Sequence, residues 1–177
     1  MKIGVVTDTH ENVPRIKRAV EFFNSSGVEL VLHAGDIISP IMTDHFKKLK
    51  VKMLGVFGNN DGEKNLWRIR SAEFPNGLEL RERYAEVDAG GARILVIHEP
   101  YLLDSIVAGG KYDFVIYGHT HETDLRREGR TVVLNCGETS GIMSGQSTAG
   151  VIDLAAGTVE VTDLDTGTRV AYLEYGR

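Results

Sequence analysis

Apolar and polar positions change period repeatedly along the chain, and the changes mark out elements. Lys2 to Thr7 is an apolar, β-branched run that stops at Asp8, as a buried strand would. From Ile16 through Ala19, Val20 and Phe23 the apolar residues recur at helical spacing, with Asn12 and Pro14 at the start and Gly27 just past the end. Glu29 to His33 is strand-like, Ser39-Pro40 opens a helix expected to run to about Leu49, and Val51 to Phe57 is a third strand. Such a βαβαβ order predicts a largely parallel sheet with right-handed crossovers.

Gly58 to Gly62 is a polar loop, followed by a helix around Lys64 to Ala72. After Pro75 the pattern turns to strands, Arg83 to Asp88 and Arg93 to His98, joined through Ala89-Gly90-Gly91, a hairpin signal. A helix from about Tyr101 to Ala108 leads to the strand Phe114 to Tyr117. Four further strands are expected at Thr131 to Asn135, Ala149 to Leu154, Val159 to Leu164 and Arg169 to Glu174. The sheet-rich second half points to an α/β fold of two mixed sheets flanked by helices, a four-layer αββα sandwich rather than one open sheet. There is no linker and no internal repeat, so 1–177 reads as a single domain.

Composition narrows the function classes. Acidic residues outnumber basic ones, 25 against 20, giving a formal net charge of −5. No basic stripe is available to track a phosphate backbone, so long nucleic acids are not expected partners, whereas a small anion remains compatible where bound cations supply local charge. The single cysteine, Cys136, allows no internal disulfide, no leader precedes the first strand, and no apolar run approaches the roughly 18 residues that span a bilayer. A cytoplasmic protein without a membrane partner is expected, and a homodimer is allowed. Asn24-Ser25-Ser26 fits a glycosylation pattern only by chance in that setting.

The chemistry gathers at strand ends. Asp8 and His10 stand two apart as the first strand ends, so extended geometry would send both side chains from one face. Asp36 ends the second strand, Asn59 the third, His98 closes the strand before Glu99-Pro100, and His119 and His121 follow Tyr117 as another i, i+2 pair. In α/β sheets that edge is where ligands bind. A lone histidine after a strand is ordinarily a hydrogen-bonded core residue, and a lone Gly-Asp only a turn. Two carboxylates, four imidazoles and one amide at successive strand ends instead suit first-row divalent metals, and without a thiolate a closed zinc site is not expected. Seven donors exceed the needs of one metal, while two metals sharing Asp36 would use them all.

Asp8-Thr9-His10, Gly35-Asp36, Gly58-Asn59-Asn60-Asp61, His98 and Gly118-His119-Thr120-His121 together resemble the ordered motif set of calcineurin-like metallophosphoesterases, nearest to their small bacterial and archaeal phosphodiesterase branch. The resemblance runs from Met1 to about residue 155. It implies one metal on Asp8, His10, Asp36 and His121 and another on Asp36, Asn59, His98 and His119. Mn²⁺ is the first expectation, with Ni²⁺, Fe²⁺, Co²⁺ or Zn²⁺ as alternatives, and a hydroxide bridging the pair would attack a small phosphodiester. Asp36, Asn59, Asn60 and His98 are the residues assigned to catalysis.

The chain departs from that pattern in three places. Asn60 stands where many relatives carry a histidine that assists the leaving group, Glu99 replaces a glycine, and Asn135-Cys136-Gly137-Glu138 replaces an Asn-Pro-Gly-Ser turn, which brings Cys136 near the metals without making it a ligand. A scaffold that has lost turnover, as in the retromer subunit built on this fold, and a phosphomonoesterase are the alternative functions. Monoester dianions want extra cations, and none lies inside the motifs.

Other signals are weighed and set aside. Asp163-Leu164-Asp165-Thr166-Gly167-Thr168 resembles the nucleophile motif of haloacid-dehalogenase phosphatases, yet too little chain follows it, so a polar hairpin turn is expected. His33 is expected in the core and His45 on the surface. Trp67, Arg68 and Arg70 follow the Gly-Asn-Asn-Asp loop closely enough to border the pocket, although a surface helix would look the same.

Overall fold

The computed structural model describes residues 1–176. Strands β1 (Lys2–Val6), β2 (Leu30–His33), β3 (Lys52–Val56) and β4 (Leu78–Arg81) pair in parallel. Beside β1, antiparallel β10 (Thr148–Asp153), β11 (Thr158–Asp163) and β12 (Arg169–Glu174) extend this sheet in the order β12-β11-β10-β1-β2-β3-β4. The second sheet is built from β5 (Tyr84–Ala89), β6 (Ala92–Ile97), β7 (Phe114–Ile116), β8 (Thr123–Glu128) and β9 (Thr131–Cys136), in the order β5-β6-β7-β9-β8. Its β6, β7 and β9 are parallel, so both sheets bring several C-terminal strand ends to one edge.

Between the sheets Ile3, Val5, Leu32, Val56, Val96, Ile116 and Leu134 form one core. The outer face of the first sheet packs on α1 (Val13–Ser26), α2 (Thr43–Phe46) and α3 (Lys64–Ala72) through Val31, Met53, Ile16, Val20, Phe23, Phe46 and Trp67. The outer face of the second packs on α4 (Leu103–Ala108) through Leu95, Val115, Leu103 and Val107. The layers are therefore helix, sheet, sheet, helix. In α1 the side chain of Asn12 accepts from the Arg15 N–H, Pro14 occupies the first turn, and Gly27 closes the helix at φ 69°, so sequence punctuation sets both ends.

Four expectations need correction. The helix from Ser39 to Leu49 is a 3₁₀ turn, Pro40–Met42, running into the short α2. Strands β4 and β8 were not expected; both are edge strands, β4 alternates apolar and polar residues over only four positions, and β8 is mostly polar. Trp67 is only 1% exposed and belongs to the helical layer, reaching only the groove between α3 and β4. His45 is half-buried rather than exposed. Gly90 and Gly91 turn the β5–β6 hairpin, both at positive φ, and Asp163 accepts from the N–H groups of Asp165 and Thr166 in the turn before β12. No helix among the described residues is long and apolar enough to cross a membrane.

Candidate metal centre

Every residue proposed as a metal donor lies just past a strand, but the side chains do not converge by strand alternation. Asp8 (φ 51°), His10 (38°), Asp36 (59°), His119 (72°) and His121 (60°) all occupy the left-handed region. For residues with a Cβ that conformation is uncommon, and it clusters at functional sites. The i, i+2 pairs therefore meet because the chain turns sharply at the strand end, which corrects the extended geometry expected from spacing.

The donors form two halves around Asp36. In one half His10 Nε2 is 3.5 Å from Asp36 Oδ2 and 3.7 Å from Asp8 Oδ1, and His121 Nε2 is 3.5 Å from that same Asp8 oxygen. In the other, His98 Nε2 is 3.5 Å from Asp36 Oδ1, and Asn59 Oδ1 lies 2.9 Å from both His98 Nε2 and His119 Nδ1. Two donors bonded to one metal at about 2.1 Å each are roughly 3.0–3.5 Å apart, the spacing of these atoms to within a few tenths of an ångström. Asp8, His10 and His121 form one three-residue group able to hold an ion, and Asp8, Asp36 and His98 another. His119 enters neither group and reaches the site through Asn59.

The polar atoms here lack partners that a protein alone could give. Asp8 is wholly buried and Asp36 is 1% exposed, yet Asp8 Oδ1 and His10 Nε2 have no hydrogen-bond partner. His98 Nδ1 lies 2.7 Å from the carbonyl of Ala34 and donates to it, so Nε2, facing Asn59 Oδ1 and Asp36 Oδ1, is the free nitrogen. Acceptors converging without a donor need a cation, and a buried charge is tolerated only when paired or coordinated. Burial alone would raise the Asp8 carboxyl, but the facing His10 ring 3.7 Å away, the Thr7 hydroxyl hydrogen-bonded to it and the nearby His98 and His121 hold it below its ordinary value. The facing Asp8 carboxylate raises His10 against the opposing effect of burial.

Supporting residues fix these side chains. Asp61 accepts from the N–H groups of Asp36 (3.0 Å), Ile37 (2.8 Å), Ile38 (2.6 Å) and Gly58 (2.7 Å), locking the β2 and β3 loops together. Asn60 donates its backbone N–H to Asp36 Oδ1 (3.0 Å) and its side-chain amide to Oδ2 (2.7 Å). Its amide is thus engaged with Asp36 rather than free beside a leaving group. His33 is fully buried, accepts from the Gly35 N–H at Nδ1 and faces Thr9 Oγ1 with Nε2; burial pushes its pKa down to about 3. Cys136 is buried, its thiol directed to the carbonyl of Val5 and pushed up by burial to about 12.

The largest omission from the sequence reading is Glu138, wholly buried and 2.9 Å from His121 Nδ1. Burial would raise this carboxyl, but hydrogen bonds from Ser140, Ser144 and His121 bring it down to about 2. Its one signal in the sequence is a charged residue where the resembling turn has serine. Beside Asn59 opens a cleft of about 350 Å³ lined by Phe57, Lys64, Glu82, Arg83 and Glu99. Lys64 and Arg83 bring cations from outside the motifs, Lys64 paired with Glu82. Arg68 lines an adjoining groove between α3 and β4, and Arg70 pairs with Asp44, so neither Trp67 nor Arg70 borders this cleft.

Known proteins resemble this chain in sequence and fold. The calcineurin-like phosphoesterase superfamily domain matches residues 1–157. The chain is 34% identical over 155 residues to phosphodiesterase MJ0936 of Methanocaldococcus jannaschii, covering 86% of this chain and 93% of that protein. A solved structure described as a novel archaeal phosphodiesterase superposes with a TM-score of 0.85 at 31% identity, covering 92% of this chain and 99% of that one. Vps29 from Entamoeba histolytica, complexed with Zn²⁺, superposes with a TM-score of 0.72 over 99% of this chain and 100% of its own; at 18% identity it shares the fold.

Proposed function

The chain belongs to the calcineurin-like phosphoesterase superfamily, and from that premise we propose that it is a metal-dependent phosphodiesterase acting on small diesters through two divalent cations, Mn²⁺ by preference, that share Asp36. The observation that carries this reading is the pair of orphaned, facing atoms Asp8 Oδ1 and His10 Nε2 within a ring of donors. When bound, two such cations supply positive charge to the phosphate and activate the attacking water.

The protein's own contribution is positioning. Asp8, His10 and His121 hold one side, Asn59, His98 and His119 the other, and Asp36 presents one oxygen to each. Asn60 holds both Asp36 oxygens in place, so no side chain at that position protonates the departing oxygen near neutral pH. The leaving group must carry its own charge. Arg83, on the cleft beside Asn59, has no ion-pair partner among the described residues and is available to an anionic substrate. The archaeal relative named a phosphodiesterase supports diesters over monoesters.

The test is a metal count with an activity screen. Protein reconstituted with excess Mn²⁺ is expected to hold two ions per chain, to hydrolyse aryl diesters faster than the matching monoesters, and to lose that activity on chelation. A stoichiometry of one or none, with activity surviving chelation, refutes the reading.

A further inference from the structure

We propose that Glu138 is a positioning residue for the metal centre: its carboxylate accepts a hydrogen bond from the Nδ1–H of His121, holding the proton on that nitrogen, and so fixes Nε2 as the bare nitrogen turned toward Asp8. The inference rests on the metal-dependent reading above but concerns a residue outside the motif set.

The hydrogen-bond inventory of this carboxylate leaves one arrangement. Oε2 is 2.6 Å from Ser140 Oγ, 2.9 Å from the Ile142 N–H and 2.9 Å from His121 Nδ1. Oε1 accepts from the Met143 N–H (2.8 Å), the Ser144 N–H and Ser144 Oγ (2.8 Å). A carboxylate offers only acceptors, so His121 Nδ1 must be the donor and its lone pair resides on Nε2. That nitrogen lies 3.5 Å from Asp8 Oδ1, the oxygen without a hydrogen-bond partner.

Across the site, His98 is oriented by a neutral carbonyl, that of Ala34. His121 has a buried anion behind it instead, and a carboxylate on the far nitrogen both fixes the tautomer and raises ring basicity toward a metal. The serine of the resembling turn would offer a hydroxyl but no charge. The loop that follows does not depend on Glu138 alone. Arg15 and Asn12 each donate to the Ser140 carbonyl (2.6 and 2.7 Å), and the Ser140 N–H donates to the Asp8 carbonyl at 3.0 Å. Glu138→Gln is therefore expected to fold, with an amide hydrogen facing a donor where a lone pair was.

Two measurements test this. Long-range ¹⁵N–¹H NMR of the metal-free wild type should show His121 protonated at Nδ1, with Nε2 bare; protonation at Nε2 instead overturns the proposal without need of any variant. Calorimetric titration with Zn²⁺ should show Glu138→Gln weakened by about 10–100-fold, while Ser144→Ala, which removes one neutral donor to the same carboxylate, stays within about twofold of wild type. In a His121→Ala background Glu138→Gln should have no further effect on Zn²⁺ affinity. A full effect in that background would make Glu138 a loop-folding residue only, and unchanged affinity in the single variant would remove its role. Wild type that bound no divalent metal at all would overturn the proposed function, while the tautomer would still report on Glu138.

Discussion

Replacing Asp36 with asparagine separates the roles of charge and shape at the centre of the site. The side chain is 1% exposed, places one oxygen 3.5 Å from His10 Nε2 and the other 3.5 Å from His98 Nε2, and accepts from Asn60 at both. Asparagine keeps the volume but sets an amide against one of the Asn60 donors and removes the charge that would offset the two proposed cations. In the metal-free protein the loss of a buried anion close to Asp8 relieves like-charge repulsion and offsets the mismatch with Asn60, so most of the penalty should appear when metal is present.

The size follows from linkage. At Mn²⁺ one hundred times its Kd, binding stabilises wild type by about 2.7 kcal/mol; a site about 100-fold weaker gains only about 0.4 kcal/mol at the same concentration. For a chain of this length, the difference of about 2.3 kcal/mol is roughly 5–9 °C of metal-induced Tm shift lost. Diester turnover should fall at least ~100-fold, about 2.7 kcal/mol of transition-state stabilisation. Thermal melts with and without Mn²⁺, paired with metal analysis, provide the assay. Equal occupancy and an equal metal-induced shift in Asp36→Asn and wild type would refute the shared role of Asp36.

Three other expectations follow. His33 titrates at about 3 in the fold against about 6.5 unfolded, so its contribution is complete above pH 6.5 and declines as pH falls, by about 1.4 kcal/mol per pH unit and about 2.7 kcal/mol by pH 4.5. Denaturant titrations of metal-free wild type and His33→Gln between pH 7 and 4.5 should therefore converge on acidification, and parallel curves would contradict the buried neutral ring. In Gly118→Ala the new Cβ would lie 2.1 Å from Thr7 Oγ1 and 2.7 Å from Asp8 Oδ2, so a loss of about 1–3 kcal/mol and weaker metal binding are expected; unaltered affinity by calorimetry would show that Asp8 can shift freely. Across aryl diesters, rates should rise steeply as the leaving group becomes more acidic, because Asn60 is committed to Asp36; a flat series with chemistry rate-limiting would reveal an acid elsewhere.

Long apolar runs made the framework legible. Lys2 to Thr7 and Ile94 to Ile97 announce buried strands, and Asn12, Pro14 and Gly27 bracket α1, because burial and capping leave marks on neighbouring residues. That these candidate donors would meet at one edge was legible for a related reason: polar groups directly after such runs have few packing explanations. What escaped depends on contacts distant in sequence. Glu138 meets His121 across 17 residues, and Asp61 ties the Asp36 loop to Gly58 across 25. Edge strand β8 has no apolar face to advertise, and no spacing rule reveals that Asp8 and His10 turn at positive φ.

That backbone choice has an evolutionary consequence. A side chain held in the left-handed region costs about 1–2 kcal/mol against glycine, and Asp8, His10, Asp36, His119 and His121 all bear it at once. Without cations, glycine at any of them would relax the chain, and at Asp8 or Asp36 it would also remove a buried anion. A directed-evolution campaign that rewarded heat resistance in chelated samples would then reach the donors first, trading a working site for a calmer backbone. The same selection run with Mn²⁺ present would protect them, because bound ions would add a stabilisation that a glycine could not replace.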